Sequence, residues 1–421
     1  MAGEDQSAAS IFDIKWRAGT VALAVVVMFA ATIIAAPVAQ AQTFTVLHYF
    51  SGGGDGAYPY AGLTVGPSGV LYGTALEGGN YNAGTVFKLS QVNSSWVFSP
   101  LYEFTGGGDG GTPAGGVVIG PNGALYGTTV HGGDNYGTVF ELRPPATSCR
   151  AILCYWNETV LHAFTGQPAD GDFPEVENLA FDSSGNIYGT TEKGGLHGAG
   201  ITFELTPSDG GYTESILHNF GGAPDGEGPE GGVLLDTAGN VYGTTSLGGI
   251  GGYGMVYQLM PSSGGWLKNV LVTFYGTDGA YPYGNLIMDG SGNFYGSTYS
   301  GGQSEDGVVY KLAPSDGGFT YSALYTFSSQ CEPFGGVAMD AAGHFFGVCY
   351  GGGAHQDGWI FELTNCSETC TLVDLHDFSG SDGFEPYGSP ALDANGNLYG
   401  TTVFGGTGCD SGCGVVWEIT P

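Results

Sequence analysis

The residues best suited to chemistry recur. The pattern Asp-Gly-x-x-Pro occurs six times, at Asp55–Pro59, Asp109–Pro113, Asp170–Pro174, Asp225–Pro229, Asp278–Pro282 and Asp382–Pro386. A seventh stretch reads Cys331-Glu332-Pro333, with Cys331 read in the Asp position. Carboxylates gathered on one face offer oxygen ligands to a hard cation such as Ca²⁺, or a polar rim to a neutral ligand. Turn chemistry explains the same residues, since Asp caps, Gly bends and Pro fixes φ. Repetition in six places favours the turn reading, because a dedicated site breaks symmetry. Tyr58, Tyr281 and Tyr387 stand in the same segments, with Tyr60, Phe173, Tyr283 and Phe334 close by. Aromatic faces beside carboxylates suit a sugar or peptide, although packing between loops would also use them. The candidate ligand-binding set is therefore Asp55, Asp109, Asp170, Asp225, Asp278, Asp382, Tyr58, Tyr281 and Tyr387.

Asp170, Asp172, Glu175 and Glu177 form the densest acidic group. Asp170, Asp172 and Glu175 are the first candidates should the chain hold a metal or do catalysis; no cofactor is expected, and Ca²⁺ is the ion their oxygens would take if one is bound. His48, His162, His218 and His376 share one repeat position with Tyr102, Val272 and Tyr325. A position that accepts Val is structural, so no catalytic role is assigned there. Ser-His-Asp order, H-E-x-x-H and phosphate-loop spacing are absent, and no residue is read as catalytic.

The elements that position these residues follow from a repeat. A phrase of the form Leu-Tyr-Gly-Thr occurs seven times, with its aromatic at Tyr72, Tyr126, Tyr188, Tyr242, Tyr295, Phe346 and Tyr399. Each repeat holds four short apolar runs between Gly, Pro, Asp and Asn, the pattern of strands joined by tight turns. The Asp-Gly-x-x-Pro segments then link the outermost strand of one repeat to the innermost strand of the next. The opening run Phe44–Phe50 resembles a fourth strand such as Val160–Phe164, and the closing run Val415–Ile419 resembles a third. Pairing the two closes a ring. The fold expected is all-β: a seven-bladed β-propeller over residues 42–421, four antiparallel strands per blade, with the N-terminal strand completing the last blade.

Composition narrows the function. Eighty of 421 residues are Gly, yet no Gly-X-Y period is present, which excludes collagen. Lys and Arg number 8 against 40 Asp and Glu, a net charge of −32 that repels nucleic acid and anionic membrane. Lys15 and Arg17, the uncharged stretch 18–36 and Ala39-Gln40-Ala41 follow the order of a secretory signal. Residues 1–41 are read as a signal peptide, or as an uncleaved signal-anchor helix that would be the sole membrane contact. An even set of cysteines in an exported chain reads as disulfides: Cys149/Cys154, Cys331/Cys349, Cys366/Cys370 and Cys409/Cys413.

The order Tyr-Gly-Thr-Thr, Gly-Gly, Gly-Thr-Val-Phe-Glu-Leu, Leu-His-x-Phe and Asp-Gly-x-x-Pro resembles the GloVer (Gloeo-Verruco) tandem repeat over about residues 43–421. The Gly-Gly after the second strand is also similar to kelch propellers. The GloVer resemblance implies an exported bacterial protein of the choice-of-anchor kind, secreted or at the cell surface, and brings no activity with it. Members often carry a C-terminal sorting segment, whereas this sequence reaches Pro421 within its last strand, so none is expected. The function expected is a non-enzymatic binding or scaffold module for an extracellular glycan or protein, acting as a monomer. The alternative is a polysaccharide-active hydrolase or lyase using carboxylates at the ring mouth.

Overall fold

The structure, a computed structural model, describes residues 42–146, 154–175, 178–366, 369–409 and 412–421. The expected signal segment, Cys149 and Glu177 therefore lie outside the described residues. Residues 43–420 form seven four-stranded antiparallel sheets. Blade 1 comprises Thr64–Val65, Leu71–Ala75, Thr85–Val92 and Ser95–Glu103, from the innermost strand outwards. Blades 2 to 6 repeat that order, starting at Val118, Ala180, Leu234, Ile287 and Ala338. Among the described residues the single helical stretch is the short 3₁₀ turn Pro67–Gly69, and no helix is long and apolar enough to cross a membrane.

Blade 7 closes the ring. Its first three strands are Ala391–Leu392, Leu398–Thr402 and Val415–Thr420, and its fourth is Thr43–Tyr49 from the other end of the chain. The register runs from Thr43 opposite Thr420 to Tyr49 opposite Val415. Closure leaves the outer edge of Val415–Thr420 paired rather than open to another chain.

Blades pack face to face through apolar residues of their second and third strands. Each hydrophobic cluster draws on two neighbouring blades, as where Tyr295 of blade 5 joins Phe345, Phe361 and Trp359 of blade 6. The Gly of the Leu-Tyr-Gly-Thr phrase has a direct role here. A Cβ on Gly73 would lie 2.6 Å from the Phe87 ring, and one on Gly400 would lie 2.2 Å from Trp417. The large third-strand aromatic lies flat over its cross-strand glycine, so glycine is the residue that fits. The neighbouring tyrosine works on the opposite face of the ring. Tyr242 and Tyr295 donate to the carboxylates of Asp236 and Asp289, which also cap the turns between the first two strands. The first Thr of the phrase ties blade to blade: Thr74 donates to the Gly115 carbonyl, Thr190 to Gly231 and Thr401 to Ala61.

At the axis the innermost strands nearly touch. A Cβ on Gly388 would lie 2.1 Å from the Gly62 amide, and one on Gly284 would lie 2.2 Å from that of Gly336. The Asn285 side chain fills part of this level, accepting from the Gly232 amide at 2.6 Å, and Ser389 accepts from Gly336 at 2.7 Å. The channel is thus crowded at its floor.

Candidate functional site: the axial mouth

The loops from outermost to next innermost strand lie beside the loops joining second and third strands. Ala57 bridges Glu77, Glu227 bridges Leu247, and Gly171–Asp172 pairs with Lys193–Gly194. The residue before each Pro is pinned from two sides. The Tyr281 amide donates to Tyr253 of the preceding blade, while its carbonyl accepts from Tyr299 of its own. Thr112, Glu385 and Tyr58 are held the same way, all with positive φ near 55–58°. Such a backbone costs about 1–3 kcal/mol for a non-glycine residue and persists only where its surroundings over-determine it. The Pro then packs on the glycine that opens the third strand of the preceding blade. A Cβ on Gly254 would lie 2.7 Å from Pro282 and 2.3 Å from the Thr245 carbonyl.

This fixed turn delivers the next residue to the axis. In chain order the seven are Tyr60, Ala114, Glu175, Glu230, Tyr283, Phe334 and Tyr387, and all line one axial mouth of about 400 Å³, measured with the solvent space it opens into. The backbone repeats sevenfold, but the side chains do not. Blades 3 and 4 supply two carboxyls. Blades 5, 6, 7 and 1 supply a continuous aromatic wall. Tyr283 stacks on Phe334 at 4.5 Å between ring centres, Phe334 meets Tyr387 edge-on at 4.5 Å, and Tyr387 stacks on Tyr60 at 4.5 Å. Residues one step beyond the second strand form an outer tier: Tyr299 contacts Tyr283 and Phe334, and Tyr350 contacts Tyr387. On the acidic side Ser246 donates to Glu230 at 2.7 Å.

Burial dominates the electrostatics of the mouth. It pushes Glu175 up to about 7, with the nearby charge of Glu192 adding to the rise. Glu230 also rises to about 7 through burial, against the Ser246 hydrogen bond and with help from Glu192 and Glu175. Two carboxyls poised near neutrality can each donate and accept hydrogen bonds, and can exchange protons with a ligand.

The residues singled out from sequence divide into four places. Glu175 and Tyr387 line the mouth. Tyr58 and Tyr281 sit before their prolines, outside the lining, against Phe404 and Tyr253 respectively. The six Asp residues lie away from the axis and cap their own loops. Asp55 accepts from the Ser51 amide, Asp109 from Thr105, Asp170 from Thr165, Asp225 from Gly221, Asp278 from Tyr275 and Asp382 from Ser379. Asp172 pairs through its backbone with Lys193, and one of its carboxylate oxygens is buried without a partner among the described residues.

The structure also joins two features read separately. His48, His162, His218 and His376 each place Nε2 within 3.0–3.2 Å of the Asp that follows. A β-bulge in each outermost pair sets this up, as between Val46 and His48, turning one Leu inwards and the His towards the loop. The sequence signal was the separation of 6–8 residues between the partners.

Cys331 takes the register of Ala57 rather than that of an Asp. Its carbonyl accepts from Gly351 as that of Ala57 accepts from Glu77. Disulfides join Cys331 to Cys349, Cys366 to Cys370 and Cys409 to Cys413, and Cys154 is also disulfide-bonded.

Sequence reading missed Glu230 altogether and held Tyr60, Tyr283 and Phe334 only as neighbours. The signal lay in the position after each Pro, where the repeat stops being uniform.

Ring closure, seven four-stranded blades and an asymmetric axial mouth define a repeat-built β-propeller. The chain belongs to the Gloeobacter/Verrucomicrobia repeat family, whose model matches residues 31–154 and 155–332. No protein of curated function matches it. Among solved structures, it resembles the extracellular domain of a provisionally named one-component system from B. thetaiotaomicron, with 12% identity and a TM-score of 0.53. That match covers 90% of this chain and 40% of the other. A Bacteroides uniformis protein provisionally named 6-phosphogluconolactonase is 13% identical with a TM-score of 0.50, over 80% and 88% of the two chains. A gluconolactonase from Xanthomonas campestris is 12% identical with a TM-score of 0.41, over 90% and 89%. Likeness at these identities is a likeness of fold.

Proposed function

We propose that this protein is an exported binding module that takes a neutral sugar unit of an extracellular glycan into the axial mouth. The supporting observation is the division of that mouth into an aromatic wall and a pair of buried carboxyls. The apolar face of a pyranose lies against Tyr283, Phe334, Tyr387 and Tyr60, while Glu175 and Glu230 bond its hydroxyls. The enclosed space of about 40 Å³ is far below that of a whole-ligand pocket, so a sugar unit would rest at the rim with one edge in the mouth, which suits a terminal or single unit rather than an extended chain. The strongly acidic surface disfavours anionic polymers. Export rests on the signal-like residues 1–41 and agrees with the disulfides.

Calorimetry with neutral oligosaccharides of differing terminal sugars tests this reading. Binding is expected for a subset, weakened at least tenfold by Phe334→Ala and by Glu230→Gln, and unchanged by Asp55→Asn. Binding that survives both mouth substitutions, or its absence across the panel, overturns the reading.

A second reading rests on the elevation of Glu175 and Glu230 towards neutrality, which suits general acid–base cleavage of the bound glycan. Product formation abolished by Glu175→Gln or Glu230→Gln, with binding retained, would distinguish a hydrolase or lyase from a binder.

A further inference from the structure

The seven seams between blades can be compared with one another inside a single molecule. Each brings together an outermost-strand side chain, the crossover loop and an outermost-strand side chain of the next blade. At the seam of blades 7 and 1, His48 pairs with Asp55 and stacks on Phe98. At that of blades 6 and 7, His376 pairs with Asp382 and stacks on Phe44. At that of blades 3 and 4, the Lys268 ammonium bonds both the carboxylate and the carbonyl of Asp225, beside His218. At that of blades 4 and 5, the Tyr321 hydroxyl donates to the Asp278 carbonyl. At that of blades 1 and 2, Tyr102 donates to Asp109, and Glu158 stands in the strand position of Lys268 with its charge acting on Asp109 and one carboxylate oxygen buried without a partner among the described residues. The other partners are aromatic, donating or cationic.

The seam of blades 2 and 3 shares that acidic pairing but sets an imidazole, rather than a tyrosine hydroxyl, beside it. Its His162 and Asp170 meet a third group, Glu214, whose position in the strand matches that of Lys268. A carboxyl thus faces a carboxylate where the neighbouring seam has an ammonium. The donor atoms of His162, Asp170 and Glu214 all lie within 4.8 Å of one another. His162 Nε2 is 3.2 Å from Asp170 Oδ2 and 3.8 Å from Glu214 Oε2. The side chains are 19%, 7% and 15% exposed, and Glu214 Oε1 is buried with no hydrogen-bond partner among the described residues.

We infer that the seam of blades 2 and 3 is a site for a divalent transition cation of the zinc class, held by His162, Asp170 and Glu214. The spacing fits: zinc bonds of about 2.0–2.2 Å in a tetrahedron put ligand atoms about 3.3–3.6 Å apart. One imidazole and two carboxylates suit zinc or a neighbouring transition ion better than Ca²⁺, which takes six to eight oxygens. The cation supplies the positive charge that Lys268 supplies one seam further on, and it displaces the His162–Asp170 hydrogen bond. It would also tie blade 2 to blade 3 at the start of the loop that ends in Glu175, so its role is to position that loop.

The test is metal binding by the full chain after treatment with a chelator, read by calorimetry, by metal analysis and with Co²⁺ as a spectroscopic probe. One equivalent of Zn²⁺ is expected to remain after desalting, to raise the Tm, and to give intense visible bands with Co²⁺. Glu214→Lys and Glu214→Phe copy the seams holding Lys268 and Phe98, which the fold already accepts. Each should lose that equivalent and the Tm response while keeping a cooperative unfolding transition. Should either fail to fold, His162→Tyr, copying Tyr102, serves in its place. No retained equivalent in the parent chain, or an equivalent that survives these substitutions, overturns the assignment and leaves a carboxyl pair sharing a proton.

Discussion

Glu230 shows how burial alone can give a residue a function. Its neighbours offer one compensating hydrogen bond, from Ser246, which does not offset the loss of water. An unfolded carboxyl of this kind ionises near 4.5, and the folded one near 7. Between those values the folded state keeps a proton the unfolded state has lost, so stability falls as pH rises through the window and levels off above it. Glu230→Gln and Glu175→Gln should each flatten this slope and raise stability at pH 8 by about 2 kcal/mol, measurable by urea unfolding at several pH values. An unchanged slope in both variants would contradict the burial argument. The turn carboxylates work in the opposite sense. Burial pushes Asp289 up, but hydrogen bonds from Asn293, Tyr295 and Ser291 outweigh it and hold the group down to about 2. Stability contributed there is lost as pH falls below the usual 3.8 towards that value. The whole chain should therefore be most stable at about pH 4–5.

At the scale of the element, the mouth depends on a glycine in one blade and a proline in the next. Gly254 has φ +89°, and an added Cβ would meet a Pro282 ring atom and two carbonyl oxygens within 2.8 Å. Gly254→Ala should cost about 2–4 kcal/mol, lowering the denaturant midpoint and loosening Tyr283 in the wall. A neutral result would show that the turn is not over-determined as described. The elements themselves were legible in the sequence because repetition exposes them: one Leu-Tyr-Gly-Thr phrase per blade marks the second strand, and Asp-Gly-x-x-Pro marks the crossover. The mouth was legible only in part. Asp55 and its equivalents drew attention by being repeated, and repetition here marks turn capping. Glu230 and Phe334 share no residue type, so they belong together only through their common step after Pro, which three-dimensional closure turns into a ring. The Cys331 register also escaped, since the sixth crossover is shortened and only the Gly351 hydrogen bond shows that Cys331 stands with Ala57.

For the whole molecule, the strand Thr43–Tyr49 is the clasp. Deleting it would leave Val415–Thr420 as an unpaired edge and uncover Trp417, which is fully buried. The truncated chain should lose cooperative unfolding and associate, as seen by light scattering; a monomer of unchanged Tm would argue against closure as the source of stability. The Cys331–Cys349 disulfide spans 18 residues and ties the shortened sixth crossover to its second strand. Replacing both with Ala should cost about 3 kcal/mol, read as a lower Tm under oxidising conditions.

The central claim is that ligand recognition sits on the axis, where sevenfold backbone repetition carries an asymmetric ring. A crystal structure of the chain with the oligosaccharide that binds most tightly tests it directly. The expected result is a sugar ring stacked on Phe334 and Tyr387 with hydroxyls bonded to Glu175 and Glu230. Density for the sugar at the outer loops or between blades, with the mouth holding only water, would contradict it.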